Sequence, residues 1–290
     1  MSGARRILST FSIAAYDPEV RAWGVAVQSR FLASGWIVPW ARAEVGAVAT
    51  QARANPTFGP RGLELMARGR SATDALEELL SEDSSIEGRQ VGLVDRSGEA
   101  AAFTGPACNT WAGHRVGEGS TCQGNILAGP GVVEEMHRYH GTSRGQLADR
   151  LVEALRAGQE AGGDRRGQQS AAILVAQEGE GYGGLDDRYV DLRVDDATEP
   201  IEELHRILQR FKITFHKTTR FDVVPWGPER EQAAVDILSR SGSVGAGDIP
   251  RSRRELQGVL FEVSRRRGIA DPELDSGIDG RLWRLLGEMR

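Results

Sequence analysis

Apolar residues near the start of the chain fall into short, nearly continuous runs that are typical of buried strands. The runs "RILSTFSIAA" and "RAWGVAVQS" are joined by the turn "YDPEV" and predict a β-hairpin. A third run, "EVGAVATQA", predicts a strand after a loop rich in Trp and Pro. Because these runs show little polar alternation, we expect strands that are covered on both faces.

Helical spacing of apolar residues follows in "FGPRGLELMARG" and "SATDALEELLSED", where Ser71 stands three residues before Asp74 as in a capping box. Further helices are predicted for "GVVEEMHRYH", "SRGQLADRLVEALRAGQEA" and "PIEELHRILQRF", and further strands for "RQVGLVDRSGEAAAFTG", "TCQGNILAG", "SAAILVAQ" and "DRYVDLRVD". The strands come in antiparallel blocks between helix pairs. This order favours a layered α/β sandwich, with helices outside two stacked sheets, over a doubly wound fold.

The pattern changes after Phe215, where core positions become few and three short, Arg-rich helical segments follow. We therefore predict residues 10–215 as one sandwich domain and residues 216–290 as a small helical extension. Residues 1–9 are a leader or the start of an extra strand.

Composition narrows the functional classes. A net charge of −5 over 290 residues gives no basic surface for nucleic acid or an anionic membrane. Lysine occurs only at Lys212 and Lys217, which excludes a phosphate-loop or Schiff-base lysine in the first two hundred residues. Two cysteines, Cys108 and Cys122, make no disulfide framework and favour the cytoplasm. The start "MSGARRILSTFSIAAY" weakly resembles a secretory signal, which is the alternative location.

Several motifs that could carry chemistry are better explained by structure. The spacing of Gly179, Gly181 and Gly184 fits a dinucleotide fingerprint, but a strand follows it, so we predict a hairpin loop. His137 and His140 could share a metal, but a third ligand is missing and we predict a solvated helix face.

Either cysteine would need a base to act as a nucleophile, and only His114 is close in sequence, so we expect buried, inert thiols. The acidic segment "DDRYVDLRVDD" alternates along a strand, which disfavours calcium binding. We expect no metal and no cofactor.

The remaining candidate is Thr10, near the start of the first strand. A threonine at a chain terminus carries its own base, because a free α-amine has a pKa of about 7.7–8.0. The plain alternative is that threonine favours strands.

The string "STFSIAAYDPEVRAWGVAVQSRFLASGWIVPWARAEVGAVATQARANPTFGPRGLELM" resembles the opening of the domain-of-unknown-function 1028 family, which is grouped with the N-terminal-nucleophile (Ntn) hydrolases. The resemblance continues through "WAGHRVGEG", "QGNILAG" and "AGGDRRGQQSAAILV" and covers residues 9 to 210. It implies a four-layer αββα sandwich with Thr10 as the nucleophile. Since "MSGARRILS" precedes Thr10, either the true start is later, or the Ser9–Thr10 bond is cleaved, or Thr10 lacks its base.

The resemblance also implies roles for other residues. "QSR" is similar to the Asp-Ser-Arg of proteasome-type subunits, which places Ser29 and Arg30 at the substrate, with Gln28 in the place of the aspartate. Arg42 is the nearest match to their catalytic lysine, but a guanidinium cannot shuttle a proton. Asn55 completes the predicted substrate-binding set.

In "GGDRRGQQS" the order of Asp164 and Ser170 matches residues that orient the terminal amine in that superfamily. Asp164 could equally pair with Arg165 or Arg166. Asn125 is the candidate oxyanion donor, although an Asn at a strand bend has backbone reasons as well.

The closing segments "VPWGPEREQAAVDILSRSG" and "IDGRLWRLL" look similar to a peptidoglycan-binding-like extension. We therefore expect an Ntn-type amidohydrolase acting on a small amide. The arginines point to an acidic substrate, such as an N-acyl amino acid or a ureido acid, and we also expect a homo-oligomer. The alternative is a non-catalytic Ntn-like binding or scaffold protein, associated with the cell wall through its C-terminal segment.

Overall fold

Two compact units make up the computed structural model, and they divide between Arg206 and Ile207. The structure describes residues 10–215, 223–245, 247–269, 272, 274–275 and 277–288. The predicted leader, residues 1–9, lies outside the described residues. The predicted boundary at residue 216 falls nine residues or so after the observed division, because the helix that contains this division begins in one unit and ends in the other.

The first unit is built on two β-sheets. Its strands are β1 (Thr10–Asp17), β2 (Ala22–Ser29), β3 (Pro39–Arg42), β4 (Gly46–Ala52), β5 (Arg89–Asp95), β6 (Ala100–Thr104), β7 (Gly113–Gly117), β8 (Ser120–Asn125), β9 (Ser170–Gln177) and β10 (Arg188–Val194). One sheet has the order β10-β9-β2-β1-β8-β7 and the other has the order β3-β4-β5-β6. Every paired strand is antiparallel, and β1 lies inside the larger sheet.

Helices cover the outer face of each sheet. Those of the first unit are α1 (Phe58–Ala67), α2 (Ala72–Ser81), α3 (Gly131–Thr142), α4 (Leu147–Glu160) and the beginning of α5 (Pro200–Phe215). The pair α1 and α2 packs on the smaller sheet, and the pair α3 and α4 packs on the larger one. The sheets face each other through β1, β4, β5 and β8, so the predicted mixed α/β sandwich is confirmed.

The local predictions hold where apolar periodicity is strong. The first hairpin pairs β1 with β2, and Ser71 caps α2 by accepting a hydrogen bond from the Asp74 N–H at 3.2 Å. The strands β3 and β7 are not among the predictions. Their residues are mostly half-buried or exposed, because both are edge strands, and their sequences therefore lack a long apolar run.

The second unit has its own apolar core. Its helices are α6 (Pro228–Arg240), α7 (Arg253–Arg266) and α8 (Gly280–Glu288), and β11 (Val223–Pro225) pairs with β12 (Gly277–Asp279). Ile237, Leu260 and Leu282 are among the buried residues that these elements pack together. A buried ion pair joins Asp279 to Arg281 at 2.7 Å. This agrees with the three helical segments predicted after Phe215.

Candidate active site

Thr10 is the first residue of β1, and the sheet places it between two other predicted site residues. It lies opposite Ser29 on β2 and opposite Asn125 on β8. Ser29 in turn lies opposite Ser170, the first residue of β9. Antiparallel pairing therefore brings four of the predicted site residues, spread over 160 positions of sequence, into one row at one end of the sheet. We call this end of the sandwich the Thr10 end.

The Thr10 hydroxyl is buried and donates a hydrogen bond to Ser29 Oγ at 3.1 Å. Its side chain faces the space between the two sheets, on the same side of β1 as Ser12 and Ala14. Neither hydroxyl is a base at neutral pH, so this pair orients the proton of Thr10 but cannot remove it. Activation of Thr10 requires another group.

Ser170 holds the loop that follows β2. Its Oγ donates to the carbonyl oxygen of Phe31 at 2.6 Å and lies 2.7 Å from Ser34 Oγ. The backbone N–H of Ser34 donates to Ser170 Oγ at 3.1 Å. The Ser170 hydroxyl therefore shapes the loop next to Ser29, and these hydrogen bonds go to that loop rather than to Thr10.

Asp164 is almost fully buried and organises the loop before β9. Its carboxylate accepts hydrogen bonds from the backbone N–H of Arg30 at 3.2 Å and from the backbone N–H of Arg166 at 2.9 Å. It also forms an ion pair with the Arg166 guanidinium at 3.1 Å. Of the two alternatives, the local pairing with Arg166 is present. A role of Asp164 in orienting a terminal amine stays a prediction.

The structure separates Arg30 from Arg42. Arg30 directly follows Ser29, and its guanidinium donates to the carbonyl oxygen of Gln168 at 2.8 Å. Arg42 pairs with Gly46 at the other end of β4 from Gln51, about 17 Å away along the strand. Arg42 is thus not at the Thr10 end, and the resemblance-based role beside the nucleophile has no geometric support.

Asn55 lies at the Thr10 end but belongs to a separate cavity. Its Nδ2 donates to Asp83 Oδ2 at 2.9 Å, and its Oδ1 accepts from the Thr57 N–H at 3.1 Å. The cavity measures about 600 Å³ and is lined by loops around α1 and α2 that do not include Thr10. Although burial alone would raise the pKa of Asp83, hydrogen bonds from Arg89, Ser85 and Asn55 hold it below its ordinary value.

A buried network of amides between the sheets is absent from the sequence-based predictions. Gln123 Nε2 donates to Ser12 Oγ at 2.6 Å, and Ser12 donates to Gln51 Oε1 at 2.7 Å. Gln51 Nε2 then donates to Gln90 Oε1 at 2.9 Å, and Asn125 Nδ2 donates to the same oxygen at 3.0 Å. These five side chains, which we call the amide network, join both sheets next to Thr10.

The amide network contacts Thr10 on one side and extends to Thr104 and His114 on the other. Gln51 Nε2 lies 3.4 Å from the carbonyl oxygen of Thr10. Gln90 Nε2 donates to Thr104 Oγ1 at 2.9 Å. Thr104 Oγ1 also lies 2.9 Å from Nδ1 of the half-buried His114. Burial, followed by the charge of Arg115, lowers the pKa of His114, so its ring stays neutral at pH 7.

Gly92 provides the space for this network. A Cβ atom at Gly92 would lie only 2.3 Å from Gln123 Oε1 and 2.7 Å from Thr121 Cγ2. A glycine in the middle of β5 weakens a strand, so its presence here reflects the close approach of the amide. The sequence does carry a signal for the network. Three of the predicted apolar strands each contribute one glutamine, a residue that is rarely buried, to the network: Gln51, Gln90 and Gln123.

Three residues near the Thr10 end have a left-handed backbone conformation. Ala33, Ala52 and Ile126 have φ values of 54°, 63° and 55°. The left-handed conformation is unfavourable for residues with a Cβ, and most of all for a β-branched one such as Ile126. Ala52 follows Gln51, and Ile126 follows Asn125. Such strain persists only where the surroundings enforce it, and it is common at functional sites.

The competing motifs are explained by structure. The segment with Gly179, Gly181 and Gly184 connects β9 to β10 as a hairpin loop, as predicted. Cys108 and Cys122 are both free, and burial raises the pKa of each thiol, which agrees with inert cysteines. Over the described part of the chain, no group of three side chains could hold a metal ion.

The prediction for the histidines of α3 is wrong for His140. This side chain is buried rather than solvated, because it faces the layer shared with α4. Burial lowers the pKa of His140 to about 4, and the charges of Arg150 and His137 contribute in the same direction. It is a neutral core histidine.

Comparison with known proteins places this site in a group without a known activity. The model of a "family of unknown function (DUF1028)" matches residues 10–204. The crystal structure of protein SPO2555 from Silicibacter pomeroyi, described with the same family model, is 31% identical to the chain with a TM-score of 0.65. The match covers 72% of this chain and 91% of that one. No curated protein matches the chain. Within the described residues, no helix is both long and apolar enough to cross a membrane.

Proposed function

We propose that this chain, which belongs to the DUF1028 family, is an Ntn-type hydrolase that cleaves a small amide with Thr10 as its nucleophile. One observation carries the proposal. Thr10 begins an inner strand of the larger sheet with its hydroxyl held by Ser29, and the family match begins at this same residue. A nucleophile at the start of a strand acquires a base when the residues before it are removed, because its own α-amine becomes free.

The reaction has two halves. In the first half, the freed α-amine takes the proton of Thr10 Oγ1, and the oxygen attacks the amide carbonyl. The C–N bond then breaks, the leaving amine takes up the proton, and the acyl group remains on Thr10 as an ester. In the second half, the α-amine takes a proton from water, the hydroxide attacks the ester, and the carboxylic acid leaves as Thr10 regains its proton.

The surroundings supply positioning rather than a second base. Ser29 accepts the Thr10 hydroxyl hydrogen bond, and the amide network fixes Asn125 beside it. An amide donor near the carbonyl oxygen would stabilise the negative charge of the intermediate, an effect worth about 2.7–4 kcal/mol when such a donor is removed. With no lysine in the first two hundred residues, the α-amine is the base that the proposal assigns to Thr10.

Intact-mass measurement with N-terminal sequencing tests the first requirement, and activity tests the second. We expect the mature chain to begin at Thr10 and to hydrolyse members of a panel of small amides. Thr10→Ala should abolish turnover, and Thr10→Ser should retain part of it. Thr73→Ala removes an exposed hydroxyl from α2 and is the matched control, with unchanged activity. A fully active chain that still carries residues 1–9 would contradict the proposal, because its Thr10 has no free amine.

The non-catalytic alternative makes the opposite prediction. A binding or scaffold protein would keep residues 1–9 and show no turnover on any amide, whether or not Thr10 is replaced. We place the hydrolase in the cytoplasm on the support of its two free cysteines. The homo-oligomer stays a prediction, which light scattering of the purified chain would test.

A second proposal concerns the C-terminal unit, which lies outside the family match. It has a separate core and a cavity of about 760 Å³ along α7, in which the apolar Val244, Ile249 and Val259 stand beside charged residues. Support comes from the resemblance of its sequence to peptidoglycan-binding-like extensions. The full chain should sediment with purified cell walls, and a chain ending near residue 206 should not, while circular dichroism shows that the shortened chain remains folded.

A further inference from the structure

We infer that the Thr10 end binds substrates that carry carboxylate groups, and that Arg30, Arg53 and Arg165 are the residues that select them. The inference rests on the proposed function for the amide that is cleaved. It goes further by assigning the residues that recognise the charge of the substrate; of these, only Arg30 is among the site residues predicted from the sequence.

The three arginines lie in chain segments next to residues that neighbour Thr10. Arg30 directly follows Ser29, the cross-strand partner of Thr10. The backbone N–H of Arg165 donates to the carbonyl oxygen of Ile126 at 3.0 Å, and Ile126 directly follows Asn125, the partner on the other side.

Arg53 approaches from the second sheet. It stands two residues after Gln51, whose amide lies 3.4 Å from the Thr10 carbonyl oxygen. Its side chain crosses Gly88, where an added Cβ would lie 2.7 Å from Arg53 Cδ, so a larger residue at that position would displace it. Cationic side chains therefore extend from both sheets at the end where Thr10 begins.

The charge of these arginines is not neutralised by the protein. In the part of the chain that the structure describes, none of the three forms an ion pair with a carboxylate. Arg30 uses one N–H on the carbonyl of Gln168, which holds the guanidinium in place and leaves its charge uncompensated. All three side chains belong to exposed residues.

Two of the carboxylates at this end are engaged by other arginines. Asp164 pairs with Arg166 at 3.1 Å, and Asp83 pairs with Arg89 at 2.8 Å. Asp164 is buried and Asp83 is half-buried, and each accepts further hydrogen bonds from the backbone or from Asn55. These two carboxylates therefore do not neutralise Arg30, Arg53 or Arg165, while the exposed Asp195 and Asp196 follow β10 at the same end of the sheet.

The strained backbone supports the same assignment. Ala52, with φ of 63°, stands directly before Arg53, and Ile126, with φ of 55°, accepts the hydrogen bond of Arg165. The left-handed conformations of Ala52 and Ile126 turn the chain at the ends of β4 and β8, next to Arg53 and to the backbone partner of Arg165. Strain of this kind is common at functional sites.

Guanidinium groups bind carboxylates through paired N–H donors, with more directional selectivity than an ammonium. Three of them match a ligand with more than one carboxylate. The chemical class that combines this charge with a cleavable bond is an amide of a dicarboxylic amino acid. N-acetyl-L-glutamate is a suitable probe, and its uncharged counterpart, in which both carboxylates are primary amides, is the matched control ligand.

The experiment is a calorimetric titration of the full chain carrying Thr10→Ala, so that no probe is consumed. We expect N-acetyl-L-glutamate to bind and the uncharged counterpart to bind at least tenfold more weakly. Arg30→Gln, Arg53→Gln and Arg165→Gln should each weaken binding of the anionic probe about fivefold to tenfold and leave the uncharged probe unaffected. Arg144→Gln, which removes an exposed arginine outside the Thr10 end, should change neither.

Equal binding of the two probes, no binding of either, or an equal loss in Arg144→Gln would overturn the inference. Binding of inorganic phosphate with no binding of the anionic amide would also overturn it, because the site would then select the anion and not the substrate. The proposed function fails separately, if Thr10→Ala does not lower amide turnover. Charge-selective binding that depends on the three arginines would stand even in that case.

Discussion

The two halves of the space between the sheets are equally buried and chemically different. At the end away from Thr10, the sheets meet through apolar side chains that include Trp23, Val25 and Val94. At the Thr10 end they meet through the amide network, in which each glutamine depends on a neighbour. The first half needs only complementary shape, whereas the second must also satisfy every polar atom.

This difference separates stability from function within one layer. Apolar packing is the less demanding way to join two sheets, since buried amides lose water and recover only what their hydrogen bonds return. Five polar side chains beside a candidate nucleophile are therefore more than a sandwich needs for folding. Their position next to Thr10 supports the proposal that this half serves a site, whereas left-handed residues occur at both ends: Ala52 and Ile126 here, and Arg21 and Glu44 in turns of the other end.

The largest expected effect on the free energy of unfolding comes from a substitution in the apolar half. Trp23→Ala should lower the free energy of unfolding by about 3–5 kcal/mol, because the side chain is fully buried and stacks on Tyr16 at 4.7 Å. Urea denaturation measures the change. Trp36→Ala is the matched control, since this tryptophan is 74% exposed and its removal should change stability by less than about 0.5 kcal/mol. Equal losses would mean that the apolar half is not what holds the sheets together.

Breaking the polar half should have a smaller but still large effect. Gln90→Leu removes the oxygen that accepts from Asn125 and Gln51, and we expect a loss of about 1–3 kcal/mol in the same denaturation experiment. A double-mutant cycle with Asn125→Ala should show coupling of about 0.5–3 kcal/mol. Additive losses would show that the network is a set of independent bonds.

Gln28→Leu sharpens the comparison, because it changes a buried glutamine outside the network. Gln28 is fully buried, and neither of its amide atoms has a hydrogen-bond partner among the residues that the structure describes. Replacing it with leucine should leave stability unchanged or raise it by about 1 kcal/mol. A loss similar to that of Gln90→Leu would contradict the distinction between the two glutamines.

The smallest expected effect is a pH dependence that the polar half has and the apolar half lacks. The folded-state pKa of His114 is lowered, so the unfolded chain binds its proton more readily. This contribution to stability is present above a pH of about 6.5 and is lost as the pH falls below it.

Urea midpoints at pH 7.5 and pH 5 measure this dependence. The wild-type chain should lose more stability between the two values than His114→Gln does. His140, with a pKa of about 4, adds a larger loss over the same range, but both chains share it, so their difference isolates His114. Identical losses in the two chains would contradict the assignment.

Much of the fold could be predicted from local patterns. The hairpin of β1 and β2, the helices α1 to α4, and the cap at Ser71 follow from apolar periodicity and short-range hydrogen bonding. The edge strands β3 and β7 were not predictable in this way, because a half-exposed strand needs no apolar run. His140 was wrongly predicted for a similar reason, since its burial depends on the packing of α4 against α3.

By itself, the sequence determined the elements, the candidate hydroxyl of Thr10 and the absence of lysine from the first two hundred residues, all of which depend on residue identity or on neighbours within a few positions. Only the tertiary structure decided which side chains meet. Cross-strand register joined Thr10 to Ser29 and Asn125, placed Arg42 at the opposite end, and brought four strands together in the amide network. Register is set by long-range pairing, and side chains from distant segments meet only when the sheets stack.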